Sequence, residues 1–186
     1  MAQRQTASLV NGLDLDILHE TIKAVKQNPE LGKCRFRAIN KWIEGDHNRT
    51  TISDYFAAGE ERTHKRSYEV DADEPSMLAG GDEAPNPTEH LLSALAGCMT
   101  TSLVVHAAAR GIQIEELESE VEGDIDLRGF LGLSDDTPKG YTNIRMKLRV
   151  KADVDNLERI KRLAEYSPTF NTLIHGVNVD FQVEPK

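Results

Sequence analysis

The run Pro85-Asn86-Pro87-Thr88-Glu89-His90-Leu91-Leu92-Ser93-Ala94-Leu95-Ala96-Gly97-Cys98-Met99-Thr100-Thr101-Ser102-Leu103 constrains this chain more than any other segment. After Pro87 it holds no further proline and consists mostly of small and aliphatic residues, so it reads as one long helix. Pro87 suits the first helical turn, Glu89 suits the positive N-terminal end, and Gly111 supplies a stop, which predicts a helix from Pro87 to about Arg110. Ala94, Ala96, Gly97, Thr100, Thr101 and Ser102 leave little bulk on its surface, so another backbone can approach closely. Cys98 lies near its middle. A free thiol there is either an inert small hydrophobe or a nucleophile, and nearby positive charge and solvent access decide which. Composition alone favours the inert reading, because unpaired cysteines are among the most buried residue types.

The flanking segments read mostly as strands. Val10, Leu13, Ile17, Leu18, Ile22 and Val25 recur at helical spacing, with Asp14 or Asp16 near the start and Asn28-Pro29 at the end, so residues 9 to 27 read as an amphipathic helix. From Cys34 to Tyr55, short stretches broken at Glu44-Gly45-Asp46-His47-Asn48 predict a β-hairpin, and Lys65 to Val70 a further strand. A loop rich in Asp, Glu, Gly and Pro over Asp71 to Asn86 leads into the Cys98 helix. Beyond it, alternation predicts strands at Leu117 to Leu127 and Tyr141 to Ala152, joined by a loop from Arg128 to Gly140. A second helix over Asn156 to Tyr166, a short one from Pro168 to Ile174, and a closing strand at Val177 to Val183 complete the pattern. Strands in runs, interrupted by two main helices, predict an α+β fold with a largely antiparallel sheet. Residues 1–33 read as an N-terminal helical extension and residues 34–186 as the main domain.

Charge and motif content narrow the chemistry. With 31 acidic against 22 basic residues the net charge is −9, which repels a phosphate backbone, so no nucleic-acid partner is expected. No apolar stretch reads as membrane-spanning, and Met1-Ala2-Gln3-Arg4-Gln5-Thr6 lacks a secretory pattern; the expected location is cytoplasmic, without a membrane partner. Two cysteines, Cys34 and Cys98, make neither a disulfide framework nor a zinc site, and none of the six histidines falls in a metal-binding motif. No metal and no cofactor are therefore expected. His90 and His106 lie eight residues to either side of Cys98. That is about 12 Å along a helix axis, too far for either to act as its base, and they read as interface or surface groups. No nucleophile elbow, phosphate loop or dinucleotide fingerprint is present; Ala79-Gly80-Gly81-Asp82 reads as a turn, and Asp71/Asp73 and Asp135/Asp136 as solvated turn residues.

The stretch from Asn86 to Cys98, the Gly111 after it, the Gly123-Asp124-Ile125-Asp126 segment and the late Ser167-Pro168-Thr169-Phe170-Asn171-Thr172 together resemble the OsmC/Ohr superfamily of osmotically inducible and organic-hydroperoxide-resistance proteins. The likeness spans roughly residues 35–186. It implies an OsmC-like fold, a sheet wrapped around a central Cys-bearing helix in an intertwined homodimer with active sites at the subunit interface. It also implies thiol chemistry: in the peroxidase branches a cysteine on the central helix attacks a peroxide oxygen and becomes a sulfenic acid. A second cysteine, in a later Cys-Pro segment, condenses with it to a disulfide that a dithiol reopens.

Carried onto this chain, the resemblance makes Cys98 the reactive cysteine, twelve positions after Asn86. The resolving-cysteine position is Ser167, which cannot form a disulfide. The family's orienting glutamate follows the helix-starting proline directly; here Thr88 stands there and the acid comes one place later as Glu89, about 100° further round the helix. For the arginine that favours the thiolate, Arg49 at the hairpin is the first choice and Arg37 the second. Cys34 is the one other thiol available to stand in as resolver. Two readings follow. One is reduction of organic hydroperoxides by Cys98, with an external thiol or dithiol as reductant. The other is a binding module, the same dimer holding a small hydrophobic or lipid-like ligand without turnover, for which the missing resolving thiol and the small-residue helix speak.

Overall fold

The computed structural model describes residues 8–153 and 157–186, with the backbone alone at Leu157. Part of the expected extension, residues 1–7, and the expected helix start at Asn156 lie outside them. The chain divides into two compact units: Asp14–Leu91 with Leu9, and Leu92–Lys186 with Val10–Leu13.

Strands β1 (Leu9–Val10) and β2 (Leu13–Asp14) form a small hairpin where the sequence predicts helix, because Asn11 and Gly12 both take positive φ, 52° and 77°, the geometry of a two-residue hairpin turn. The helix α1 runs only from Leu15 to Gln27, started by Asp14, whose carboxylate accepts from the backbone N–H groups of Asp16 and Ile17.

In the first unit the 11-residue strand β5 (His47–Ala57) is central. Along one edge it pairs antiparallel with β3 (Arg35–Phe36) and β4 (Ile39–Glu44), and along the other with β6 (Glu60–Ala72), longer at both ends than expected. The loop that follows is not the solvated turn of the sequence reading. Asp73 is buried at 3% exposure, its carboxylate accepting from the backbone N–H of Glu74 (2.8 Å) and Glu83 (3.2 Å). A Cβ at Gly80 would come within 1.8 Å of the Glu74 carbonyl, so only glycine fits that crossing. Asp71 is corrected likewise: it lies within the last two residues of β6, ion-paired to Arg49.

The helix α2 (Pro87–Ala108) begins in the first unit and spends most of its length in the second. Backbone bonds from Arg110 and Gly111 to Ala107 and Ala108 close it, with Gly111 at φ 68°, two residues short of the expected end. Contrary to the sequence reading, it is long and apolar enough to cross a membrane by length and composition. Here its stripe Leu95, Met99, Leu103 and Ala107, at successive i+4 positions, forms a core with Ile112, Ile160, Leu163 and Ala164. Strands β7 (Ile114–Ile125) and β8 (Tyr141–Ala152) lay Leu117, Val121, Ile144, Met146, Leu148 and Val150 against that stripe.

The opposite face of this hairpin explains its register. Glu122, Glu120 and Glu118 stand across from Arg145, Lys147 and Arg149, and ion pairs join Arg145 to Glu122 (2.7 Å) and Arg149 to Glu120 (2.7 Å). Each exposed pair contributes little to stability, but a one-residue slip would turn every charge into the core. A short helix α3 (Leu127–Phe130) opens the connecting loop, and α4 (Leu157–Ala164) and α5 (Pro168–His175) follow β8. Asn11 is tied to this unit by a two-way clasp: its Nδ2 donates to the Ile112 carbonyl (3.0 Å) and its Oδ1 accepts from the Ile114 N–H (2.9 Å).

The expected closing strand is absent. Val177, Val179, Phe181 and Val183 are 69–84% exposed and belong to no sheet. Their alternation supplies an apolar face, yet a strand also requires a neighbouring ladder of N–H and C=O groups, and none lies beside it among the described residues.

Candidate functional site

Cys98 is half-buried on α2, one position from the core residue Met99, and Ser102 sits one turn along on the same face. The corner between α4 and α5 delivers the other groups. Ser167 is the N-cap of α5 and fully buried at 0% exposure; its Oγ accepts from the Phe170 N–H at 3.2 Å, and Pro168 occupies the first helical position. Further bonds lock this corner: Ser167 N–H to the Ala164 carbonyl (3.0 Å), Asn171 N–H to the Ser167 carbonyl (3.1 Å), and Asn171 Nδ2 to the carbonyls of Glu165 and Ser167 (2.8 Å each).

Electrostatics at the sulfur are a contest. Burial pushes the Cys98 thiol up; hydrogen bonds from the Ser167 hydroxyl, the hydroxyl and backbone N–H of Thr169 and the Ser102 hydroxyl pull it down, and the balance leaves it below the ordinary thiol value. The Thr169 N–H belongs to the first turn of α5, where donors lack intrahelical partners. Directed at sulfur, such a donor stabilises a thiolate, as does the positive end of the helix.

The remaining candidate residues, His106 excepted, belong to the first unit. Arg49 lies opposite Asp71 in the β5–β6 register and grips it with two bonds, Nε to Oδ1 at 2.6 Å and Nη2 to Oδ2 at 3.0 Å, with Glu69 at 3.6 Å. The guanidinium holds the Asp71 carboxyl below the usual range. His90 joins the same residue, its Nε2 2.8 Å from the Asp71 carbonyl. Arg37 is taken up by Glu61 and Asp54 at 2.7 and 2.9 Å. Glu89 closes a capping box: its carboxylate accepts from the Asn86 N–H and its own N–H donates to Asn86 Oδ1, both at 2.8 Å. His106 stacks on Tyr166 at 4.2 Å between ring centres; burial, then the Arg110 charge, lower its pKa. Cys34 is exposed. Among the described residues no group of three His, Cys, Asp or Glu side chains is arranged to hold a metal ion.

The sequence model of the OsmC-like protein family matches residues 80–182, more than half of the chain. The chain belongs to the OsmC-like protein family. Its fold is similar to that of an OsmC-like protein from Mycoplasma pneumoniae, at 20% identity and a TM-score of 0.56, over 77% of this chain and 89% of that one. It is also similar to an OsmC-like protein of unknown function from Vibrio cholerae, at 13% identity and a TM-score of 0.55, over 74% and 92%. At such identities the likeness is one of fold. No curated protein matches the chain.

The family match takes in Cys98, Glu89 and Ser167 of this OsmC-like protein and leaves Arg49 outside. Two donors to the sulfur escaped the sequence reading. Ser102 carried a usable signal, its i+4 spacing from Cys98. Thr169 did not, because its role depends on where α5 starts and on how that corner meets α2.

Proposed function

We propose that this OsmC-like protein reduces organic hydroperoxides through Cys98, in a cycle that uses one cysteine of the protein. The observation that carries the reading is the Cys98 sulfur, half-buried and supplied with hydroxyl and N–H donors that favour its thiolate. The thiolate attacks a peroxide oxygen of ROOH; the O–O bond breaks, sulfur becomes Cys98–SOH and the departing RO⁻ takes a proton to leave as the alcohol. An external thiol R′SH then condenses with the sulfenic acid, releasing water and forming a mixed disulfide. A second R′SH frees Cys98 and leaves as R′SSR′. Ser167 holds no sulfur, so no internal disulfide to that position replaces the first thiol.

In this reading Arg49 is the cation that favours the thiolate, an assignment that rests on the family resemblance, with its fork held in one orientation by Asp71. Glu89 is the orienting acid, tied to the start of α2 by its capping box. The working form is a cytoplasmic homodimer. Phe36, Ile39, Trp42 and Phe181 support it, being 64–84% exposed in the single chain.

The test is direct. Purified protein is mixed with one equivalent of an alkyl hydroperoxide, the sulfenic acid is trapped and located by mass spectrometry, and peroxide loss is followed with a dithiol or a monothiol present. Trapping at Cys98 with thiol-dependent turnover is expected. A reduced Cys98 beside persisting peroxide at neutral pH would overturn the proposal and favour a ligand-binding dimer without turnover, the reading that the serine at position 167 supports.

A further inference from the structure

We infer that His90 is a positioning residue for Arg49, acting through Asp71: its ring ties the first turn of α2 to the main chain of the residue whose carboxylate sets the guanidinium. All three residues belong to the first unit. His90 Nε2 stands 2.8 Å from the Asp71 carbonyl oxygen. A carbonyl can only accept, so Nε2 carries the proton and donates. The carboxylate of the same residue takes Arg49 Nε at 2.6 Å and Nη2 at 3.0 Å, a fork whose direction follows the plane of the carboxylate. A shift of the Asp71 main chain therefore swings the guanidinium with it.

The local chain explains why Asp71 needs this tether. It lies one residue from the end of β6, which pairs only with β5 among the described residues, and a single ladder pair, Ala72 with Asn48, stands beyond it. Its carboxylate also has a rival partner, because His47 Nε2 lies 3.6 Å from the same Oδ1 that Arg49 Nε holds. Movement of the strand end would let the carboxylate turn toward His47 and loosen the Arg49 bond. His90 opposes that movement from a fixed base. The Asp73 N–H bonds to the Pro85 carbonyl at 3.4 Å, which folds the loop back so that α2 starts beside the end of β6. The Asn86–Glu89 capping box and the bond from the His90 N–H to the Asn86 carbonyl, at 3.1 Å, then lock the turn that carries the ring.

The catalytic meaning of this inference rests on the proposed reading of Arg49 as the cation that favours the thiolate; the placement of the guanidinium does not, and the experiment separates them. In isotope-labelled protein the Arg49 Nε–H resonance is assigned by its disappearance in Arg49→Lys. It is then followed, with peroxide turnover in parallel, in the parent, His90→Phe, His90→Gln and Asp71→Asn. His90→Phe keeps a ring and removes the donor, while His90→Gln keeps an N–H at similar reach. In His90→Phe the Arg49 signal is expected to move toward its place in Asp71→Asn, and kcat to fall about tenfold with KM within about twofold. In His90→Gln both return to the parent values. A His90→Phe protein that is folded by circular dichroism and keeps the parent's Arg49 signal overturns the inference. If His90→Phe does not fold, the tautomer of His90 in the parent, read from long-range proton–nitrogen correlations, decides together with His90→Gln. A protonated Nε2 and a parent-like Arg49 signal in His90→Gln support the inference; an unprotonated Nε2, or a displaced signal in His90→Gln, overturns it. Shifted signals with turnover that is unchanged, or absent even in the parent, would overturn the reading of Arg49 as part of a peroxidase site and leave the role of His90 in place.

Discussion

Replacing Ser167 by cysteine tests the placement of α5 against α2 more sharply than any deletion. Ser167 is among the groups that lower the Cys98 thiol and stands where the resembled family carries its second thiol, on a corner fixed by backbone bonds, so Ser167→Cys is expected to bring two thiols together. The loop that a bond between them closes holds about 70 residues, and constraining such a loop in the unfolded chain stabilises the fold by about 4 kcal/mol. Against this, the serine cap of α5 is lost, at a cost of about 1 kcal/mol. The oxidised variant therefore gains about 3 kcal/mol over the parent, and the reduced variant loses about 1 kcal/mol. With a urea dependence of about 2 kcal/mol per molar, those changes move the unfolding midpoint up by about 1.5 M and down by about 0.5 M. The assay is a free-thiol count by mass spectrometry after mild oxidation, then urea unfolding of both redox forms at one protein concentration. An unchanged count of free thiols would show that positions 98 and 167 do not meet, and the reasoning about the site would fall with it.

Leu103 is fully buried in the core stripe of α2, so Leu103→Ala should cost about 3 to 4 kcal/mol in urea unfolding; a loss under about 1 kcal/mol would mean the stripe is not packed as described. Asp73 is held below the ordinary carboxyl value by the backbone N–H groups of Glu83, Glu74 and Gly81. Because its folded value lies below the unfolded one, its stabilisation is complete above about pH 4 and is lost as pH falls through the lower folded value. Urea midpoints measured from pH 5 down to pH 2.5 should therefore fall less steeply for Asp73→Asn than for the parent, and parallel curves would refute the assignment. The Cys98 thiol lies below its ordinary value, so its alkylation by iodoacetamide should reach half its maximal rate at a lower pH than that of a free cysteine peptide measured alongside; a midpoint at or above the peptide's would remove the thiolate argument.

Local rules were legible wherever the deciding contacts are near in sequence. The Cys98 helix, its proline start and its glycine stop, the strand Tyr141–Ala152 and the short helix after Ser167 follow from spacing and turn chemistry, and the structure places them within a residue or two. The Asn11-Gly12 turn was legible by the same rules but hidden under a helical periodicity that continued through Val10 and Leu13. The tail from Val177 to Val183 shows where such rules stop, since alternation specifies a face and says nothing of the strand that must lie beside it.

What the sequence by itself determined is the residue at each decisive place: a lone thiol at position 98, a serine where the resembled family has its second cysteine, and glutamate one step late at the helix start. It also determined the family, because those residues occur together in one order. Only the tertiary structure decided their company. The Asp71 partner of Arg49 depends on the β5–β6 register, the burial of Asp73 on a loop folding over its own backbone, and the donors around Cys98 on α5 docking against α2 some 70 residues further along the chain. Spacing along a chain sets which side chains share a face. Which faces meet is set by the burial of a common core, here the stripe from Leu95 to Ala107 against Ile160 and Leu163, and that core fixes the corner that Ser167 caps.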